Sequence, residues 1–138
     1  MSDKYILLVE DNPDEVALAE LAFKKSQISN KLVVARDGLE ALDYLFCCGK
    51  YLGRDSNDKP ALILLNLNLP RLDGFGVLKE IQSNATASSI PVVVLTNSIE
   101  EKDRSESLRL GAQDFISKPP SFSQFVQVVQ KLSLRWLS

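Results

Sequence analysis

The feature that most constrains this chain is a set of short apolar runs with no polar face. The runs YILLV at residues 5–9, ALILL at 61–65 and VVVL at 92–95 are apolar at every position. A strand with one wet face alternates apolar and polar residues. A strand apolar on both faces has to be covered on both, as in a parallel sheet flanked by helices. Two weaker runs, residues 31–35 and 113–117, bring the set to five. Helical patterns separate them. Asn12-Pro13 is a capping residue followed by a first-turn proline, opening a helix whose inner side is expected to carry Val16, Leu18, Leu21 and Ala22. Leu39, Leu42, Leu45 and Phe46 recur at helical spacing within residues 38–48, and Val77, Leu78 and Ile81 do so after Gly74. Residues 99–110 form a more polar helix closed by Gly111, and Phe122, Phe125, Val126, Val129 and Leu132 line the last one. Residues 49–60 are a polar loop. The reading is α/β: five βα units, one parallel sheet, helices on both faces and right-handed crossovers.

At 138 residues the chain suits one domain and leaves little room for a second, so no output domain is expected. No apolar run approaches the roughly 20 residues of a membrane span, and the polar residues 1–4 do not make a secretory signal. A cytoplasmic protein follows. Its net charge of −2 and scattered lysines and arginines lack the footprint of a nucleic-acid binder. Cys47 and Cys48 are adjacent and read as reduced thiols ending a helix, not as a disulfide framework. The chain contains no histidine, which excludes Ser-His-Asp and Cys-His catalysis, the common zinc sites and a phosphohistidine. Its chemistry has to run on carboxylates, hydroxyls, lysine and backbone.

In a doubly wound sheet, functional residues gather beyond the carboxyl ends of the strands. Glu10 and Asp11 follow the first run, Asn66 and Asn68 the third, Thr96 and Asn97 the fourth, and Lys118-Pro119 the fifth. Paired carboxylates beside another oxygen ligand suit a hard cation such as Mg²⁺. A hydroxyl and an ammonium opposite them suit an anion such as a phosphoryl group.

Glu10-Asp11, then Asn66 to Pro70 with Gly74, then Leu95-Thr96, then Phe115 and Lys118-Pro119, resemble the receiver domain of two-component response regulators. The resemblance spans essentially the whole chain. It implies a single flavodoxin-like (βα)5 domain of strand order 2-1-3-4-5, a signalling protein and not an enzyme. It also implies roles. Glu10 and Asp11, with residue 66 and the Asn68 carbonyl, would hold Mg²⁺; Thr96 and Lys118 would bind phosphoryl oxygens. Phe115 would be an aromatic switch moving with Thr96, against the plainer reading of a core aromatic. Lys118-Pro119 would be a cis peptide. Asp73 and Asp114 read as solvated loop or edge residues.

One position departs from the pattern. Receivers carry an aspartate at the end of the third strand, where its carboxylate takes the phosphoryl group of a partner histidine kinase; this chain has Asn66. A neutral amide is a poor nucleophile, and losing a charge weakens the expected Mg²⁺ site. The chain is therefore expected to be phosphorylation-deficient and to rest near the inactive conformation. Two origins fit Asn66: a native residue of a phosphorylation-independent interaction module, or an introduced substitution that locks the switch. The long loop at 49–60, Phe46 and the missing output domain resemble the single-domain regulators that partner cyanobacterial phytochromes. That resemblance implies a phytochrome kinase as partner and a homodimer through the face built by the fourth helix, fifth strand and fifth helix. Leu132, Leu134, Trp136 and Leu137 would serve such a contact, or Trp136 folds back onto its own domain. Two rival classes fit poorly. A flavodoxin-type electron carrier needs a phosphate-cradling loop where Glu10-Asp11 would repel one, and a haloacid dehalogenase-type phosphatase needs an Asp-x-Asp that residues 11–13 lack.

Overall fold

A computed structural model describes residues 4–137; residues 1–3 and 138 lie outside it. The strands β1 (Ile6–Val9), β2 (Leu32–Ala35), β3 (Leu62–Leu65), β4 (Val92–Thr96) and β5 (Asp114–Ser117) form one parallel sheet in the order β2-β1-β3-β4-β5. The helices are α1 (Pro13–Lys25), α2 (Gly38–Phe46), α3 (Gly74–Gln82), α4 (Glu101–Arg109) and α5 (Phe122–Trp136). Alternation along each strand splits the core in two. Leu7, Val9, Ile63, Leu65, Val92 and Val94 face α2 and α3, which bury Ala41, Tyr44, Val77, Leu78 and Ile81 there. Ile6, Leu8, Leu62, Leu64, Val93 and Leu95 face α1 and α5. Among the described residues, no helix is long and apolar enough to cross a membrane.

The expectation for α1 is corrected. Its buried residues are Val16, Ala19, Ala22 and Phe23, whereas Leu18 and Leu21 are 42% and 46% exposed. At about 3.6 residues per turn, Leu18 and Leu21 lie across the helix from Val16. Asn12 caps this helix as expected, accepting from the Asp14 amide at 2.8 Å. Helix α2 stops at Phe46 because Cys47 adopts a left-handed φ of 56°; both cysteines are free, as expected. Helix α4 starts at Glu101, two residues later than its sequence pattern suggests, leaving Ile99 exposed. Asp73 is exposed but structured, capping α3 through the Gly76 amide. Trp136 and Leu137 pack onto the α1–α5 side of the core, so the indole folds back onto its own domain.

The loop at residues 49–60 is fastened more tightly than its composition suggests. Tyr51 closes a short 3₁₀ turn (Gly49–Tyr51), and the Arg54 guanidinium stacks 4.0 Å from the Tyr44 ring centroid while its Nε donates to the Tyr44 carbonyl. The Tyr44 hydroxyl donates to Tyr5, which donates to the Asp58 carbonyl, and burial pushes the Tyr5 hydroxyl strongly up. On the other side of the loop, Glu40 accepts from the Arg36 amide, the Tyr51 hydroxyl and the Lys50 ammonium. Burial alone would raise the Glu40 carboxyl; these three donors outweigh it and bring it down to about 2. A folded-state value below the unfolded one gives stability that is present above the unfolded value of 4.5 and lost as pH falls towards about 2. Lys50 is solvent-screened, so we expect about 1 kcal/mol from this source. Glu40→Gln should therefore unfold more easily than the parent chain at neutral pH, with the gap closing as pH drops through that window in chemical-denaturation titrations. A gap that does not change with pH would show that the Glu40 charge contributes nothing.

Candidate functional site

Strand register assembles the site. Val9 pairs with Leu65 and Thr96 with Ser117, so the residues following β1, β3 and β5 emerge together at the carboxyl edge. Backbone bonds carry that alignment past the strands: the Asn66 amide donates to the Val9 carbonyl at 3.1 Å, and the Lys118 amide to the Thr96 carbonyl at 2.7 Å. Gly74 is needed here for close approach. A Cβ at this position would stand 2.6 Å from the Asn66 carbonyl oxygen and 2.7 Å from the Leu67 Cα, so any side chain would push the end of β3 out of place.

The centre of the site is Glu10, only 3% exposed. Its Oε1 accepts from Lys118 Nζ at 2.9 Å, and its Oε2 from the Asn12 amide at 3.1 Å and from Asn66 Nδ2 at 3.2 Å. A buried carboxylate survives only when paired and hydrogen-bonded, and here both oxygens are engaged. The same Asn66 nitrogen lies 3.4 Å from the Asn68 carbonyl. Lys118 reaches a second carboxylate, Glu15 Oε2, at 3.1 Å. Asp11 is exposed at the rim. Glu10, Asn66 and Lys118 thus form one bonded network, with the Asn68 carbonyl at its edge.

Thr96 and Phe115 stand apart from that network. Thr96 is fully buried, and its Oγ1 accepts from the Ser98 amide at 3.3 Å. Ser98 in turn donates to Asp103 at the start of α4, and Ser117 donates to the Ser98 carbonyl. The Thr96 hydroxyl is thereby coupled to the β4–α4 loop. Phe115 is 6% exposed and packs in the core between β4 and the α3 side, while Arg104 of α4 donates to its carbonyl. Any movement of this ring starts from the buried position. The Lys118–Pro119 peptide is trans, which corrects the expected cis bond and follows the ordinary bias of X-Pro peptides.

The oxygens carried by Glu10, Asp11, Asn66 and Asn68 are hard donors; the structure brings Glu10, Asn66 and the Asn68 carbonyl together and leaves Asp11 exposed at the rim. That chemistry fits a divalent cation such as Mg²⁺, with one charge fewer than an aspartate at 66 would give. Among the described residues, no three acidic, cysteine or histidine side chains are grouped to hold a metal ion. Sequence reasoning missed Glu15. Its only local signal was being one more acid in the first turn of α1, and its partner lies 103 residues away.

A buried carboxylate bonded to a lysine, at the carboxyl edge of a 2-1-3-4-5 parallel sheet, places the chain in the flavodoxin-like class of doubly wound folds. A model of the response regulator receiver domain matches residues 6–130. Response regulator Rcp1 of Synechocystis sp. is 40% identical over 134 residues, covering 97% of this chain and 89% of that protein. Among solved structures, the phosphorylated cyanobacterial phytochrome response regulator RcpA aligns with a TM-score of 0.90 at 42% identity, over 99% of this chain and 96% of that one. The Mn²⁺-bound form of Rcp1 aligns with a TM-score of 0.87 at 39% identity, over 98% and 95%. This chain belongs to the response regulator receiver domain family.

Proposed function

We propose that this chain is a cytoplasmic receiver in a phytochrome-linked two-component pathway, and that Asn66 prevents it from accepting a phosphoryl group. The observation that carries this reading is the bonded set of Glu10, Asn66 and Lys118 at the end of β3. In this reading the Asn66 amide stands where a receiver carries an anionic oxygen, and its bonds with Glu10 and those of Glu10 with Lys118 support it. The similarity to Rcp1 supports a sensor histidine kinase as partner, and that to the phytochrome response regulator RcpA supports a phytochrome in particular. In this reading Glu10, Asp11, Asn66 and the Asn68 carbonyl would hold Mg²⁺, weakly for want of a carboxylate at 66. When bound, the ion offsets negative charge on an incoming phosphoryl group.

With an aspartate at 66, Lys118 Nζ and the Thr96 hydroxyl would bind the phosphoryl oxygens, and Thr96 would pass the change to α4 through Ser98. Phe115 repacks from its buried position when Thr96 moves. The kinase approaches the groove beside Lys118, where Leu18, Pro119, Pro120 and Phe122 are placed around the site's entrance. A homodimer forms through the face of α4, β5 and α5. Partners are proteins; neither nucleic acid nor membrane is one.

A second reading, a phosphorylation-independent interaction module, is favoured by one observation: Glu10 is fully satisfied by protein donors, so the pocket needs no cation to balance it. Intact mass after incubation with acetyl phosphate and Mg²⁺ separates the two. We expect no phosphoryl adduct on the parent chain and one adduct on Asn66→Asp, with a beryllium fluoride phosphate mimic binding only the latter. If Asn66→Asp also stays unmodified, the pocket is not a receiver site and the interaction module stands.

A further inference from the structure

We propose that Glu15 is a latch on Lys118, a positioning residue that competes with phosphoryl oxygens for the lysine and so limits how tightly the site holds an anion. The inference rests on the receiver reading of Lys118 and extends it to a residue outside the motifs that carry that reading. Glu15 is the third residue of α1. In that place a glutamate ordinarily reaches back to the N-cap amide and satisfies it. Here the Asn12 amide is already taken by Glu10 Oε2 at 3.1 Å. The Glu15 side chain instead turns across the carboxyl edge and accepts from Lys118 Nζ at 3.1 Å. Capping therefore does not account for its position.

An ammonium has three protons to donate. Two are committed, one to Glu10 and one to Glu15, and Lys118 is held with only 11% of its side chain exposed. The two carboxylates are not equivalent. Glu10 is 4% exposed and fixed by three donors, so removing Lys118 from it would strand a buried charge. Glu15 is 28% exposed and can turn to water at little cost. An anion arriving over residue 66 therefore wins Lys118 from Glu15, while the Glu10 pair stays. The negative Glu15 also opposes that anion directly, so the latch weakens binding by its charge as well as by its hydrogen bond. Glu15 and Lys118 border the same groove as Leu18, so a partner seated there touches the latch itself.

Two measurements test this. In the parent chain, the rate at which Lys118 is modified by a soluble amine-reactive acylating reagent, read by peptide mass spectrometry, reports how firmly the ammonium is held. Glu15→Gln should raise that rate about fivefold, as for losing one partly exposed charged partner, and Glu15→Asp should restore most of the protection. In the Asn66→Asp background, Glu15→Gln should tighten binding of the beryllium fluoride mimic in the presence of Mg²⁺ by a similar factor. An unchanged or slower labelling rate overturns the latch, and so does weaker binding of the mimic, which would make Glu15 a support for the lysine. If Asn66→Asp binds no mimic at all, the receiver reading has failed. The labelling rate in the parent chain then decides alone whether Glu15 restrains Lys118.

Discussion

Lys118→Met should lower stability by about 3 kcal/mol, the usual loss when one partner of a buried pair is removed and the other stays charged. The cause is Glu10. Its carboxylate is 96% buried, and Lys118 supplies the only positive charge bonded to it among the described residues. The Asn12 and Asn66 donors remain in the variant, but two neutral hydrogen bonds do not replace a cation. Methionine keeps most of the lysine stem, so lost packing contributes little. For a domain of this size the change corresponds to a fall in Tm of about 10 °C. The double variant Glu10→Gln/Lys118→Met removes both charges and should recover more than half of the loss. A double variant as unstable as Lys118→Met alone would mean that the damage comes from packing and not from the stranded charge. Thermal melts of the three proteins at neutral pH decide it.

The same residues show which parts of the site a sequence can reveal. Fully apolar strands fix a parallel sheet, and in such a sheet each strand's first polar residue lands on one edge. Glu10, Asn66 and Lys118 were therefore legible as neighbours even though 108 residues separate the first from the last. The direction of a side chain within that edge was not legible. Phe115 follows the strand alternation into the core, where burying a ring is favourable by about 2 kcal/mol, as the plainer reading of a core aromatic expects.

Helix α1 carries apolar residues around most of its circumference, so spacing alone did not separate Val16 and Ala19 from Leu18 and Leu21. Which stripe faces the sheet is set by how the helix docks. The loop at 49–60 read as merely polar because its order comes from Arg54 lying on Tyr44 and from the Tyr5–Asp58 bond, side-chain contacts that spacing does not show; Tyr5 and Asp58 lie 53 residues apart. The Glu15–Lys118 pair was hidden for the same reason.

Asn66→Asp should convert a site that is stable without a cation into one whose stability depends on it. In the parent chain, Asn66 Nδ2 donates to Glu10 at 3.2 Å and lies 3.4 Å from the Asn68 carbonyl. An ionised aspartate can only accept, so both contacts turn repulsive or are lost. A carboxylate placed against buried Glu10 adds like-charge repulsion to the lost hydrogen bond, at a combined cost of about 2 kcal/mol when no divalent cation is present. Adding Mg²⁺ reverses the sign. The third carboxylate completes the hard-oxygen set, and a ligand at a hundred times its Kd stabilises the folded state by about 2.7 kcal/mol. In thermal melts we expect Asn66→Asp to unfold below the parent chain in EDTA and to match or exceed it in excess Mg²⁺. The parent chain should shift much less over the same range. Equal Mg²⁺ shifts in the two proteins would show that residue 66 does not face the cation, and equal stability in EDTA would show that Glu10 does not sense its charge. In the proposed reading, the aspartate version is poised for a cation and then a phosphoryl group, whereas the asparagine relieves that charge crowding and leaves no acceptor.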